Sequence, residues 1–396
     1  MPKKVNEKLF LNEVMRSATL KRYEVSNARR ISEFLKKQEE DIFNQISRLE
    51  LFEGSINRKK RAQLNRLLRR VERDIKKVNT QTYRKIRSQM NRIGKDEIRF
   101  QEKNVRDAFA PVLKADLNAV NSAILETSIY SDPFQGGVFK SWTDNLSRTK
   151  QIRINRQINT AFYQGEGAAG LKRRLLGSGG FSSVLAADAR EAEALARTGL
   201  NHSINRARDL FQEKNRYATR YRYTAVIDGR TTLICSSRDG ELFKIGNRPS
   251  LPAHINCRSI YVAVADGQEI LGERQTIAST TTKKRLQSQF SRLARESYGK
   301  GFRKLRPSAK KRLINTQRNK WIRENIGTVP AKTNFNDFLR NQSAKFQNEY
   351  LGKTRAALFR RGKLDLTDFL DQKTGKRFTL EQLRAREKTA FKLADL

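Results

Sequence analysis

Asp228–Gly–Arg–Thr–Thr–Leu–Ile–Cys235–Ser–Ser–Arg–Asp239–Gly240, continued by Pro252–Ala–His254–Ile–Asn–Cys257–Arg258–Ser259, is the stretch on which the reading of this chain turns. It holds both cysteines of the protein and one of its two histidines. Its flanks change the hydrophobic period of the chain. Tyr221 to Ile227 is rich in β-formers and ends on the turn pair Asp228–Gly229. Leu242–Ile245 reads as a short strand, and Ile260–Tyr–Val–Ala–Val–Ala265 as a better one, closed by Asp266–Gly267. A small β module is therefore predicted around residues 221–265, set in a chain that otherwise reads as helix.

Working toward the N-terminus, residues 184–216 form an Ala-rich helix, and 138–175 another helical stretch that ends at the loop Gly177–Ser–Gly–Gly180. That loop is a turn rather than a phosphate cradle, because no Gly-Lys-Ser/Thr follows it. Ser131–Asp–Pro–Phe–Gln–Gly–Gly137 is a linker. Residues 1–130 read as long helices. Ile31, Phe34, Leu35, Ile42, Ile46 and Leu49 keep one apolar face, with a break at Glu53–Gly54–Ser55. Leu64, Leu67, Leu68, Val71, Ile75 and Val78 then form a second stripe, and a further helical stretch over 94–130 is interrupted at Pro111. Toward the C-terminus, residues 283–323 carry fifteen Lys and Arg against one acid, Glu296. Their apolar residues are sparse, which predicts weak helix or extended chain. Residues 335–390 read as helical, with a stop at Gly362 and a turn at Lys373–Thr–Gly375. The expected class is mainly α, a bundle or arm of long helices, with the β module inside it. The expected domains are a basic helical region at 1–130, a domain at 138–267 containing the Cys/His module, a basic linker-like segment at 283–330 and a helical region at 335–396.

Charge restricts the partners. Lys and Arg number 82 against 41 acids, a formal net charge of +41, and the sequence pI is near 10.7. A compact particle of that charge repels itself unless something anionic is near, and nucleic acid is the expected partner because its phosphates release counterions when Lys and Arg replace them. The two densest stretches supply the candidate contacts. These are Arg58, Lys59, Lys60, Arg61, Arg69 and Arg70 in one, and Lys283, Lys284, Arg285, Lys310, Lys311 and Arg312 in the other. Phe290, Tyr298, Phe302 and Trp321 are interleaved in the second and could stack on bases or pack onto the body. Hydrophobic residues make up 37% of the chain and mean hydropathy is −0.73. No apolar run approaches the roughly 20 residues that span a bilayer, and no secretory signal is visible. Two cysteines do not make a disulfide framework, which fits synthesis in a reducing cytoplasm.

Thiolate and imidazole suit Zn²⁺, so Cys235, His254 and Cys257 are candidate ligands. A closed structural site needs a fourth, for which Asp239 is the nearest residue and water or a partner residue the alternatives. With the position open, the same set would resemble catalytic zinc, with Asp239 or Glu241 as base. Equally open are two buried thiols, a disulfide, and a His254 that merely hydrogen-bonds its loop. Other constellations are weak. His202 lies on a predicted helix, Glu191–Ala–Glu193 reads as helix surface, and no Gly-x-Ser-x-Gly elbow occurs.

At Asp228–Arg230–Thr231, Cys235, Asp239–Gly240, Pro252, His254 and Cys257–Arg258–Ser259 the chain resembles the phage head morphogenesis, or Mu F-like minor head protein, family. Ala196–Arg197–Thr198 resembles that family's Ala-Arg-Thr-Glu run, with Gly199 in place of the Glu. Phe338–Leu339–Arg340–Asn341–Gln342, Leu351–Gly352, Arg355, Leu358, Gly362, Leu364, Leu366 and Phe369 look like a tail often attached to such proteins. The likeness covers about 140–265 and, more loosely, 335–385. Many relatives carry cysteines where Thr232 and Ser259 stand, so this copy is expected to keep the loop fold without metal, with Cys235, His254 and Cys257 structural. The resemblance implies a minor virion component rather than an enzyme. Its partners would be the portal or major capsid protein and double-stranded DNA bound without sequence preference, with no membrane and with several copies per particle. It would be assembled in the host cytoplasm, lie in the head interior or near the portal, and act in packaging or ejection. The alternatives are a metal-dependent nuclease using Cys235, His254 and Cys257, and a scaffold-like factor that leaves before the virion matures.

Overall fold

A computed structural model describes residues 3–46, 57–110, 116–177, 183–264 and 270–396. It is 69% helical, with 14 helices and two small three-stranded sheets, as the mainly α reading with a β module expects. The predicted breaks at Glu53–Ser55, Pro111 and Asp266–Gly267, and most of the Gly177–Gly180 loop, lie outside the described residues, as does Leu49. The chain forms two compact units, each from separated stretches. One comprises Met1–Met15, Tyr217–Arg248 and Arg258–Leu396, and the other Arg16–Arg216 and Pro249–Cys257.

The second unit is helical. It takes most of α1 (Lys3–Ile46), then α2 (Arg58–Phe109), α3 (Ser122–Ser131), α4 (Phe139–Tyr163), α5 (Ala168–Leu176) and α6 (Val184–Asn215). Asn57 caps α2 by accepting from the Lys60 N–H at 2.9 Å. From there α2 runs 52 residues without interruption, roughly 80 Å at 1.5 Å per residue. Its predicted stripe is its buried side. Leu64, Leu67, Val71 and Ile75 join Phe43 and Ile46 of α1, Ile154 and Ile158 of α4, and Leu171 and Leu175 of α5 in one apolar core.

Further along, this core turns polar. Lys150 is buried, meets Glu39, and donates to Asn79 Oδ1 at 2.9 Å. Burial pushes the Lys150 ammonium down to about 8, against the pull of Asp188 and Glu191. Arg153 binds Asp188 at 2.5 Å and Glu191 at 2.8 Å, and burial still lifts Asp188 to about 6. Glu191, read from sequence as helix surface, is thus part of an ion-pair network. Glu97 on α2, with no exposed surface, accepts from Arg16 at 2.9 Å and Arg208 at 2.8 Å.

His202 on α6 is a core residue. It is 1% exposed, stacks on Phe134 at 4.7 Å, and its Nε2 lies 3.1 Å from the Ile129 carbonyl oxygen. Burial lowers its pKa to about 4. The folded pKa is below the unfolded one. Stability is therefore complete above pH 6.5 and falls as the pH drops toward 4, because only the unfolded chain takes up the proton. Asp188 acts oppositely, since its raised pKa makes the folded state the proton acceptor between about 6 and 3.8. His202→Gln keeps a donor for Ile129 and cannot titrate. Between pH 7 and 5 it should lose about 2 kcal/mol less stability than the wild type, measured by urea denaturation at each pH. Equal losses would show that His202 is not neutral in the fold.

The first unit carries both sheets. In one, β1 (Arg220–Thr224) lies between β3 (Leu242–Lys244) and β4 (Ile260–Val264), antiparallel to both. The other joins β2 (Ile227–Asp228), β5 (Glu273–Ile277) and β6 (Ile326–Pro330). Neither β5 nor β6 was legible beforehand. They pair antiparallel from Glu273↔Pro330 to Ile277↔Ile326. Between them stands a helical hairpin of α8 (Lys283–Tyr298), a 3-10 turn (Gly299–Lys304) and α9 (Pro307–Asn325). The segment expected to be weakly helical or extended is therefore two firm helices. Thr282 caps α8, Gly299 ends it at φ +76°, and Pro307 opens α9. The interleaved aromatics hold the pair together. Phe290 and Phe302 are buried, and Phe290 meets Trp321 edge-to-face at 6.0 Å.

The C-terminal region is helical as expected, with α10 (Phe335–Arg340), α11 (Ala344–Leu351), α12 (Lys353–Arg360), α13 (Leu380–Arg386) and α14 (Lys388–Leu393). Phe338, Leu339, Leu351, Leu358, Leu364, Leu366 and Phe369, the apolar positions of the tail-like pattern, all lie in one core, together with Ile227 of β2. Gly362 is fixed by space, because a Cβ there would come within 2.7 Å of the Leu358 and Ala390 carbonyl oxygens. No helix among the described residues is long and apolar enough to cross a membrane.

Candidate functional site

The predicted turn at Asp228 is the hub of the β module. Asp228 is 1% exposed, and its Oδ1 accepts from the Arg230 N–H at 3.0 Å, closing an Asx turn. Arg258 reaches it with both arms, Nη1 to Oδ2 at 2.6 Å and Nη2 to Oδ1 at 2.5 Å. Burial alone would raise this carboxyl, but the hydrogen bonds and charge of Arg258, with Arg230 adding to them, hold it below the usual range. Arg258 Nη2 also donates to Thr231 Oγ1 at 3.1 Å, and Thr231 Oγ1 donates to the Val226 carbonyl. The Asp-x-Arg-Thr and Cys-Arg parts of the sequence pattern are thus two sides of one bidentate ion pair.

A single turn of helix follows, α7 (Leu233–Ser237). Cys235 sits on it, 2% exposed, and accepts at Sγ from the Tyr223 hydroxyl at 3.2 Å. The next residue is tied to the C-terminal region. Tyr350 Oη lies 2.7 Å from Ser236 Oγ and 2.9 Å from the Thr231 carbonyl oxygen, and burial raises its pKa. Nothing in the sequence marked Tyr350, since a tyrosine on a predicted amphipathic helix carries no signal of its partner.

Asp239 forms the second hub. Its Oδ1 accepts from the Ala225 N–H at 2.7 Å. Arg274 of β5 donates to it at 2.9 and 3.1 Å, and also to the carbonyls of Ala225 and Thr333. Gly240 follows with φ +91°, donating to the Tyr223 carbonyl at 2.9 Å, and a Cβ on it would lie 2.8 Å from Asn334 Cβ. Asp-Gly is needed because the acid ties β1 to β5 and the glycine lets the chain turn against the start of α10. Arg222 of β1 is also buried. It donates to the Ala331 and Lys332 carbonyls at 2.5 and 3.0 Å, and burial brings its pKa down to about 10, with Arg274 adding to the effect.

His254 and Cys257 belong to the helical unit. Their loop follows the cis Leu251–Pro252 bond, and the Pro252 carbonyl accepts from Gln135 Nε2 at 2.6 Å. The Cys257 N–H donates to the His254 carbonyl at 3.0 Å, while Asn256, at φ +61°, donates its N–H to Thr198 Oγ1 at 3.0 Å. So Thr198 of the Ala-Arg-Thr run is the clasp of the His/Cys loop. His254 Nδ1 lies 2.8 Å from the Ile255 carbonyl oxygen. That contact places the proton on Nδ1, since a carbonyl oxygen can only accept. Cys257 is fully buried, with 0% exposure.

Of the candidate metal ligands, Cys235 lies in the sheet-bearing unit and His254 and Cys257 in the helical one. Three donors would be one short of a closed structural zinc site, and Asp239 has both oxygens bound by Arg274 and the Ala225 amide. Thr232 lies exposed ahead of α7, and Ser259 is buried at 1%. Glu241, the other proposed base, is raised by burial.

The candidate phosphate contacts fall in two places. On α2, Arg58, Lys59, Arg61, Arg69 and Arg70 are exposed and Lys60 is half-buried. On the hairpin, Arg285, Lys311 and Arg312 are exposed, Lys310 is half-buried and donates to the Arg303 carbonyl, and Lys283 and Lys284 lie in the first turn of α8.

No curated protein and no solved structure matches the chain. Residues 152–262, within the span where the resemblance was read and without the C-terminal tail, match the family described as phage Mu protein F like protein.

Proposed function

We propose that this protein is a minor component of a phage head, built around the Mu F-like segment and placed where it meets the portal or inner capsid and the packaged genome. The observation that carries this reading is the family match over residues 152–262. The internal chemistry of that segment supports a structural role. Its carboxylates at Asp228 and Asp239 are themselves buried and bind the half-buried Arg258 and the buried Arg274. The nuclease alternative is weakened on the same ground, since Asp239 is not available as a base. The reading needs no cofactor, and the net charge of +41 suits a protein enclosed with DNA.

Quantitative mass spectrometry of purified particles tests it. The protein should be found at low copy number in DNA-filled heads. Its loss from emptied particles would add a role in ejection. Absence from filled heads, with presence in procapsids, would replace this reading with that of a transient assembly factor.

A further inference from the structure

We propose that the α8–α9 hairpin is the arm by which this protein grips the phosphate backbone of duplex DNA; the choice of DNA among duplex nucleic acids rests on the head-protein reading above. Three observations carry it. The first is uncompensated charge. On other helices several exposed cations pair with acids one turn away, as in Arg29–Glu33, Arg99–Asp96, Lys103–Asp107 and Lys140–Asp144. Over 283–323 Glu296 is the one acid among fifteen Lys and Arg, with Glu324 following near the end of α9, and Glu296 sits 3.7 Å from Arg292. Among the described residues, Lys311, Arg312, Arg318, Lys320 and Arg323 of α9 are exposed and have no carboxylate partner.

The second is that α9 has no buried residue in its 19 positions. It meets α8 only through half-buried residues such as Trp321, and it is held at its base. The β5–β6 ladder closes at Ile277↔Ile326, and the Ala278 N–H donates to the Asn325 carbonyl at 2.8 Å. A rod of 19 residues is roughly 28 Å long, close to the rise of about eight base pairs. Lys311 and Arg318, seven residues apart, share a face.

The third is what the aromatics are doing. Single-strand binding uses aromatic platforms on which bases stack. Phe290 and Trp321 face each other inside the hairpin and Phe302 is buried, which leaves only Tyr298 substantially exposed, at 49%. Cations without stacking surfaces suit a duplex backbone, bound by position and not by base. A membrane fits less well, because the exposed side of α9 offers no row of apolar residues to insert.

The experiment uses the full-length chain and a 20-base-pair random DNA labelled for fluorescence anisotropy, titrated from low to moderate salt. One variant carries Lys311→Gln, Arg312→Gln, Arg318→Gln and Lys320→Gln. A charge-matched control carries Arg58→Gln, Lys59→Gln, Arg61→Gln and Arg69→Gln on α2. The hairpin variant should unfold at the wild-type midpoint, lose at least roughly tenfold in affinity, and flatten the slope of log K against log salt by about 3 to 4. The α2 control should lose distinctly less. Duplex RNA bound as well as DNA would support a phosphate grip while removing the DNA assignment. Equal losses in both variants, tighter binding to single strands, or hairpin-dependent binding to anionic vesicles in place of DNA would each overturn the proposal. It can fail in this assay while the protein is still found in virions, so the two readings are separable.

Discussion

Asp239→Ala is expected to destabilise the sheet-bearing unit by about 3–5 kcal/mol, the cost of leaving one member of a buried ion pair without its partner. Side-chain exposure is 4% for Arg274 and 0% for Asp239, so water cannot replace the lost carboxylate. The substitution also strips the Ala225 N–H of its acceptor, a buried donor left unmade at about 1–3 kcal/mol within that total. Arg274 would remain bonded to the Ala225 and Thr333 carbonyls, which keeps it in place without neutralising it. Asp239→Asn should cost less, since its amide oxygen can still accept from Ala225. Adding Arg274→Met to Asp239→Ala should recover part of the loss, because an apolar pair is tolerated where half an ion pair is not. Urea denaturation with an unchanged m-value would read these out. A loss below about 1 kcal/mol for Asp239→Ala would mean the pair is solvated, and would return Asp239 to the list of possible metal ligands.

This hub explains what could and could not be read in advance. Asp239–Gly240 was visible as part of a pattern, but Arg274 was not, because it lies beyond the predicted module, on a strand whose sequence Glu–Arg–Gln–Thr–Ile alternates too weakly to stand out. The β5–β6 sheet eluded periodicity for the same reason. Its strands are five residues each, its burial is partial, and 48 residues of hairpin separate them. Long-range pairing of short polar strands is fixed by tertiary contacts, not by local preference. The reverse holds for α2, α6 and the C-terminal core, where apolar residues recurring at helical spacing are the residues found buried. The hairpin shows a third case. Few apolar residues suggested weak helix, yet a Thr cap, a Gly stop, a Pro start and one aromatic pair suffice when a sheet clamps both ends. At the Cys/His loop the sequence supplied the residue types but not Thr198, whose role as the clasp on Asn256 needs a fold that sets α6 against the loop.

Gly199 brings the same reasoning to a position where this chain departs from the pattern it resembles. Gly199→Glu should cost roughly 4 kcal/mol, through overpacking and a buried charge with no counter-ion. The position is buried on α6, where α6 packs along α2, and a Cβ would lie 2.9 Å from Met90 Sδ and 3.3 Å from Met90 Cε. Met90 is itself 0% exposed, so its side chain has nowhere open to go. Gly199→Ala tests the steric part alone. Alanine gains about 1 kcal/mol of helix propensity over glycine, and shifting a packed thioether costs a similar amount, so the net change should be near zero. Met90→Ala opens the space, and in that background Gly199→Ala should become stabilising by about 1 kcal/mol. The interaction energy from this double-mutant cycle, read from denaturation midpoints, isolates the contact. If Gly199→Glu folds with wild-type stability, α6 must sit farther from α2 than 2.9 Å allows, and the Thr198 clasp one residue earlier would need another explanation.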